Sequence, residues 1–202
     1  MNGTHYHCSE KTQKKLLQAV IKLAREKNYE TITVQEICSE AGVSTGSFYY
    51  QFRSKDELVH EAYKSIDWLL TKEFIEESNQ LPPLCALDRL LRLYIIYVQE
   101  TIGLIIAQYY QVLLKNPNIP RYDFNRPYCR EIRRLLSLAM EQGTISRQYD
   151  PEYLTWTVMR LVRGLLFDWV IQGGKYDLSE RYALDFEILC HGLAPKKVDP
   201  EE

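Results

Sequence analysis

Three helix starts crowd into the stretch from Thr33 to Glu57, TVQEICSEAGVSTGSFYYQFRSKDE, and they leave the chain little choice there but short helices joined by tight turns. Thr33 and Glu36 form a Thr-x-x-Glu capping box, in which each side chain satisfies a backbone amide that the helix leaves free. Behind it Val34, Ile37, Cys38 and Ala41 fall at i, i+3, i+4 and i+7, one apolar stripe of a two-turn helix. Gly42 stops that helix, since glycine takes the left-handed conformation of a C-cap without a Cβ penalty. Ser44 caps the next helix, with Val43 and Phe48 spaced for a hydrophobic staple. Ser54 and Glu57 repeat the capping pattern for a third.

The middle helix carries an unusual outer face. Phe48 and Phe52 point inward, which leaves Thr45, Gly46, Ser47, Tyr49 and Tyr50 outside, where a surface helix ordinarily shows Glu, Lys and Ala. A glycine inside a helix costs about 1 kcal/mol against alanine, so something flat and close is expected there. Helix, glycine turn, helix is the sequence form of a helix-turn-helix, whose second helix enters the DNA major groove. No carboxylate occurs from Gly42 to Lys55, while Arg53 and Lys55 are basic. Lys55 stands in the first turn of its helix, where the macrodipole disfavours a cation and a nearby phosphate reverses the sign.

The elements T33-V-x-x-I37, A41-G-V-S44, G46-S-x-Y49-Y-x-F52 and S54-K-x-x-L58 resemble the DNA-binding segment of TetR/AcrR-type transcriptional regulators. The resemblance is specific over the first quarter of the chain and elsewhere extends to length and helix layout. It implies an all-α protein: an N-terminal three-helix helix-turn-helix domain over residues 1–53, a connecting helix over 54–79, and a C-terminal helical ligand-binding and dimerisation domain over 80–202. Thr33, Gln35, Ser44, Thr45, Gly46, Ser47, Tyr49, Tyr50 and Lys55 are the expected DNA contacts. Thr33, Tyr49 and Lys55 are assigned to phosphates, and Gln35, Thr45 and Tyr50 lie nearer base edges.

A chain of 202 residues that is 46% hydrophobic and 26% charged suits one or two soluble domains. Its net charge of −2 excludes bulk attraction to nucleic acid, so a basic footprint must be local. The cysteines, Cys8, Cys38, Cys85, Cys129 and Cys190, are odd in number and without a C-x-x-C pair, as expected of reduced thiols in the cytoplasm. MNGTHYHCSEK has no apolar core of a signal peptide. His5, His7 and Cys8 read as a mobile tail rather than a metal site, and no cofactor is implied.

From Ser9 to Lys27 the apolar positions Leu16, Leu17, Val20, Ile21 and Ala24 give an amphipathic helix. Asn28 then stands where the resemblance expects glycine, as a left-handed cap. A long helix is expected from Ser54 to about Asn79, ended by Pro82 and Pro83. From Leu84 to Leu114 the chain is apolar enough to suggest a membrane span. Gln99, Glu100, Gln108 and Gln111 interrupt it, and Thr101 and Gly103 mark a break between two helices, so no membrane is expected.

Tyr94, Tyr97, Glu100, Gln108, Tyr109 and Gln111 read either as polar handles of a pocket or as core residues whose polar ends reach the surface. The resemblance places them around the effector cavity, joined by Trp156 and Arg160. Aromatic walls with one carboxylate suit a flat hydrophobic effector, neutral or weakly cationic. The segment Asn116–Pro127 is a loop, a helix runs from there to Gln142, and the tail Pro195 to Glu202 is expected to be disordered.

Asp150 with Pro151 opens a helix that is apolar nearly all round, and Asp177 with Glu180 opens the last one. Together they carry more apolar surface than one small domain covers, and the resemblance makes them a homodimer interface with Arg163, Gly164, Phe167, Phe186 and Leu189. Arg160 and Arg163 require anions, with Asp168, Asp185 and Glu187 as candidates, in an ion pair between subunits or a ligand clamp. Neither a phosphate loop, a metal-ligand spacing nor a nucleophile elbow occurs, so the chain is expected not to be an enzyme. The function implied is a cytoplasmic repressor, released from a palindromic operator by a small hydrophobic or aromatic molecule. A protein of the same fold governed by a protein partner is the alternative.

Overall fold

Capping chemistry sets the helix boundaries. The computed structural model describes residues 3–115 and 125–195, apart from the side chains of residues 3–9, 63 and 64. The expectations for His5, His7 and Cys8, most of the loop Asn116–Pro127 and the tail after Pro195 lie outside the described residues. Regular structure among the described residues is helical throughout. The chain packs as two compact units, each made from two stretches: Met1–Ser65 with Glu100–Arg121, and Ile66–Gln99 with Tyr122–Glu202.

The first unit begins with α1 (Gly3–Glu26), which buries Leu16, Leu17, Val20 and Ile21 against α2 (Val34–Ala41), α3 (Thr45–Gln51) and α4 (Lys55–Lys64). Thr33 caps α2 through the full capping box, with Glu36 N donating to Thr33 Oγ1 at 3.2 Å and Thr33 N to the Glu36 carboxylate at 2.8 Å. Gly42 ends α2 in the left-handed region, φ 64°, and Ser44 caps α3 by accepting from Ser47 N at 3.1 Å. Phe48 and Phe52 are buried with their ring centroids 5.8 Å apart. Ser54 caps α4, although the Glu57 carboxylate reaches one residue beyond the expected box, to Arg53 N at 2.6 Å. The floor of the unit is α7 (Ile106–Lys115), whose Ile106, Tyr109 and Val112 are buried and which packs on α4.

In the second unit α6 (Pro83–Tyr97) packs on α8 (Pro127–Glu141) and α10 (Leu178–Leu193), and α9 (Pro151–Ile171) packs on α8 and α10. Asp150 and Asp177 cap α9 and α10 as their sequences announce, accepting from Tyr153 N at 2.8 Å and Glu180 N at 3.0 Å. Tyr94 meets Tyr128 edge-on, and the Tyr182 hydroxyl donates to the Asp88 carboxylate at 3.0 Å. Burial and that carboxylate both push the Tyr182 phenol up.

Four further local expectations are corrected. Asn28 has φ −59° and caps a 3-10 turn, Tyr29–Thr31, by accepting from Glu30 N at 3.0 Å; the side-chain cap makes a left-handed residue unnecessary. The single helix expected from Ser54 to Asn79 is three pieces: α4, a 3-10 turn Ser65–Leu69, and α5 (Lys72–Ser78). Ser65 donates back to Ala62 O at 2.5 Å, and Thr71 opens α5 by accepting from Phe74 N at 3.2 Å. Between them the Asp67 carboxylate accepts from Arg126 Nε at 3.0 Å and Tyr128 N at 3.2 Å, holding the start of α8. In the third, α9, apolar nearly all round in sequence and so expected to be buried on all sides, leaves Tyr153, Arg160, Gly164, Phe167 and Ile171 exposed in the protomer. The fourth, Phe186 at the dimer interface, is taken up with that surface below. The stretch Pro83–Lys115 is long and apolar enough to cross a membrane, but a π turn at Val98–Ile102 and Gly103, φ 63°, divide the helix at the break expected there.

Candidate DNA-binding surface and effector region

The α3 surface is built from the cap outward. Ser44 and Ser47 share a hydrogen bond of 2.9 Å between hydroxyls, and Thr45, Gly46, Tyr49 and Tyr50 are exposed beside them. Tyr50 is 82% and Tyr49 60% exposed, large apolar area that packing within the unit does not use. A Cβ added at Gly46 would meet nothing closer than Ser44 Oγ at 3.7 Å, an ordinary contact. The fold therefore has no need of glycine there, and its helix penalty is left to be explained by close approach from outside. Thr33 and Gln35 are exposed at the start of α2.

Cations around this surface are mostly committed. Lys22 pairs with Glu40 at 2.6 Å, and Lys27 with Glu36. The Lys27 hydrogen bond, followed by that from Thr33 N, holds the Glu36 carboxyl down to about 2. Lys55, expected on a phosphate, donates its ammonium to the carbonyls of Tyr29 at 2.9 Å, Glu30 at 3.3 Å and Ile32 at 3.0 Å. Its position in the first turn of α4 is thus answered from within, by carbonyl oxygens of the turn before α2. Arg53 is exposed with its guanidinium unengaged among the described residues, and only its basic character marked it in the sequence.

The residues expected around an effector divide between the two units: Glu100, Gln108, Tyr109 and Gln111 belong to the first, Tyr94, Tyr97, Trp156 and Arg160 to the second. Tyr109 is buried and stacks on His60, ring centroids 6.2 Å apart; Gln108 is half-buried, and Glu100 and Gln111 are exposed. Tyr94 is buried, whereas Tyr97 and Trp156 are half-buried. Arg160 is exposed, stacked over Tyr153 at 5.3 Å and donating to Thr157 Oγ1 at 3.0 Å, so within the protomer neither Asp168, Asp185 nor Glu187 is its partner. Asp168 accepts instead from the Tyr176 hydroxyl at 2.8 Å and Gln172 Nε2 at 2.9 Å. Burial, with that carboxylate second, pushes the Tyr176 phenol up to about 12. An open cleft of about 530 Å³ is lined by Arg130, Arg133, Arg134, Glu141, Asp150 and Glu152 among others. Arg134 is held by Glu131 at 2.6 Å, and the three lining carboxylates offset the three guanidiniums.

One face of α9 and α10 is apolar and uncovered. Tyr153, Phe167 and Ile171 are exposed on α9, and Leu184 and Ile188, the last 69% exposed, on α10. Gly164 and Gly192 are exposed, and a Cβ at either would meet nothing within 4 Å. Of the expected interface, Gly164 and Phe167 lie on this face, Arg163 and Leu189 are half-buried, and Phe186 is buried against Tyr182 with ring centroids 5.7 Å apart. Phe186 is therefore core. Leu184 and Ile188 replace it at the surface, one helical turn apart.

Residues 16–62 match the family of bacterial regulatory proteins described as the tetR family. The HTH-type transcriptional repressor KstR2 of Mycolicibacterium smegmatis is 23% identical over 188 residues, covering 91% of each chain. Among solved structures, Thermus thermophilus FadR, a TetR-family transcriptional repressor in complex with lauroyl-CoA, superposes with a TM-score of 0.69 at 21% identity, covering 94% of this chain and 99% of its own. RolR in complex with its ligand resorcinol superposes with a TM-score of 0.62 at 17% identity, covering 94% and 91%. A capped helix-turn-helix in residues 16–62, followed by a helical C-terminal region with that fold, makes this chain a TetR-type transcriptional regulator.

Proposed function

We propose that the chain works in the cytoplasm as a homodimeric repressor, binding a palindromic operator through α3 and leaving it when a small hydrophobic molecule binds the C-terminal domain. The observation that carries the DNA reading is the α3 face: Tyr49 and Tyr50 exposed around a glycine that the fold does not require. Thr45, Tyr50 and Gln35 read base edges; Thr33, Tyr49 and Arg53 meet phosphates; Ser44 and Ser47 set the helix start. Lys55 acts indirectly, by fixing the turn that leads into α2. Two copies joined through α9 and α10 present two such helices to half-sites one turn of DNA apart, about 34 to 36 Å.

For the effector, the tyrosines and Trp156 support a hydrophobic ligand, and two of the structures with this fold hold lauroyl-CoA and resorcinol. A ligand that favours the non-binding state by about 5.5 kcal/mol moves the population from 1:99 to 99:1. Selection of bound duplexes from a random pool tests the DNA reading: enrichment of an inverted repeat is expected, and a pool without enrichment overturns it. A thermal-shift screen of planar cations, neutral aromatics, carboxylates and acyl-CoAs tests the effector. Stabilisation by neutral hydrophobic compounds is expected. Stabilisation confined to anions overturns the charge assignment, and stabilisation by none favours a protein partner.

A further inference from the structure

We infer that Cys85 and Cys190 form a two-thiol site that a hydroperoxide converts to a disulfide within one protomer. The inference is independent of the operator and effector readings, and every residue it uses belongs to the second unit.

The geometry comes from the packing of α6 on α10. Gln99 stands just past the end of α6, and its Oε1 accepts from Leu178 N at 2.7 Å, at the start of α10. Further back on α6 the Arg92 guanidinium lies 5.3 Å from the centroid of the Tyr182 ring, and the Asp88 carboxylate accepts from the Tyr182 hydroxyl at 3.0 Å. Stepping backwards on α6 is thus stepping forwards on α10, and the two helices run antiparallel. Cys85, Asp88 and Arg92 share one face of α6, at i, i+3 and i+7. Both helices advance equally per residue, so the part of α10 that meets Cys85 is its last two turns.

Cys190 occupies that part, in the last turn of α10, while Cys85 stands in the first turn of α6. It follows Ile188 by two residues, about 200° around the helix, and so faces away from the uncovered apolar surface. Burial pushes the Cys190 thiol up, and the Asp88 carboxylate and the Cys85 thiol push the same way. The two sulfurs are therefore within electrostatic range of each other. A disulfide requires Cα atoms no more than about 7 Å apart, and the terminal turns of helices are where a backbone yields most readily. Cys85 is exposed and Cys190 half-buried, whereas Cys38 and Cys129 are buried. Among the described residues no three His, Cys, Asp or Glu side chains converge as metal ligands, so the pair with Asp88 is not a metal site.

The exposed thiol meets the oxidant first. Cys85, as the thiolate, attacks one oxygen of the peroxide; the O–O bond breaks, the departing hydroxide leaves as water with the proton Cys85 gave up, and Cys85 becomes a sulfenic acid. The Cys190 thiolate then attacks the Cys85 sulfur, forming the S–S bond and expelling the sulfenic oxygen, which leaves as water with the Cys190 proton. Two thiols lose two electrons, and one peroxide is reduced to two waters. The new bond closes a loop of more than half the chain, and a loop that long strongly restricts the unfolded state.

The test treats the full-length protein with hydrogen peroxide, blocks remaining thiols by alkylation, digests with trypsin and maps the peptides without reduction. Peptide 73–89 should be joined to peptide 182–196, and Tm should rise by about 5 to 10 °C; dithiothreitol should reverse both. Cys190→Ser should lose the link and the Tm rise, and a 1,3-diketone should trap sulfenic acid at Cys85. Cys85→Ser should lose the link and show no trapped adduct at Cys190. Each variant is compared with its own reduced form, so destabilisation by serine cancels. Absence of the joined peptide overturns the inference. So does a link that joins isotopically light to heavy copies in a mixed sample, which assigns Cys85 to contacts between molecules, or a diketone adduct at Cys190 in Cys85→Ser.

Discussion

The ammonium of Lys55 lies 4.3 Å from the centroid of the Tyr29 ring and donates to the Tyr29 carbonyl oxygen at 2.9 Å. One cation thus holds a ring and three carbonyls of the turn before α2. Lys55→Met should lower the stability of the DNA-reading head by about 1.5 to 3 kcal/mol, the range for a hydrogen bond to a charged group. It should leave the salt dependence of operator binding at the wild-type slope, whereas Arg53→Ala should reduce that slope by about one unit. Salt titrations of the two variants check this; a flattened slope for Lys55→Met would return its ammonium to a phosphate.

Tyr50 separates binding from folding more cleanly. Because it is 82% exposed, Tyr50→Ala should change stability by no more than about 0.5 kcal/mol. The loss of one base-reading group should cost about 1 to 3 kcal/mol in operator binding. Thermal melts and fluorescence anisotropy on the selected duplex measure the two quantities; a variant that binds as tightly as wild type removes Tyr50 from the contact set.

Gly164 gives opposite expectations for a free surface and a buried seam. If α9 ended at solvent, Gly164→Ala would stabilise by about 1 kcal/mol through helix propensity alone, since a Cβ there meets nothing within the protomer. In a dimer seam, Gly164→Leu should weaken association, and Ile188→Asp should abolish it by burying an unpaired charge. Sedimentation of both variants decides the matter, and two dimers as stable as the parent would place the interface elsewhere.

Glu36 ties the helix-turn-helix to pH. Its carboxyl stands at about 2 in the folded chain against an ordinary 4.5. The ionised form is the one that the fold favours. Its stabilisation is therefore complete above the ordinary value and disappears as pH falls from about 4.5 towards 2. Glu36→Gln keeps an acceptor for Thr33 N but has no proton to gain and no ion pair with Lys27. The gap in Tm between wild type and variant should be present at neutral pH and close across that window. A gap that persists at pH 2 would assign the effect to packing.

The residues that reasoning from sequence placed well are those whose partners are near in the chain. The starts at Thr33, Ser44, Asp150 and Asp177 are capped as read, because a cap and its amide lie three residues apart. The break at Gly103 announced itself by a glycine that alone tolerates its φ. Thr71 is equally local, yet the apolar rhythm of Leu58, Ala62 and Ile66 masked it: the rhythm continues past the end of α4 while the backbone does not. Lys55 and Phe186 depended on partners that local spacing does not specify. The amino acids around Lys55 suggest a free cation; only the fold brings three carbonyls to it. Phe186 sits on the same helix as Ile188, and which of the two faces outward is decided by the packing of α10 on α6 and α9.

The first unit is completed by residues from Glu100 onward, and this has a consequence during synthesis. A nascent chain that has just delivered α3 and α4 lacks the buried Ile106, Tyr109 and Val112 of α7. Its DNA-reading head cannot close its core until Lys115 has left the ribosome, more than half of the way through the 202 residues. At a synthesis rate of about 5 to 20 residues per second, the half-built head waits for seconds with apolar surface exposed. The same dependence means that truncation after α4 yields a fragment with an open floor, not a small autonomous DNA-binding domain.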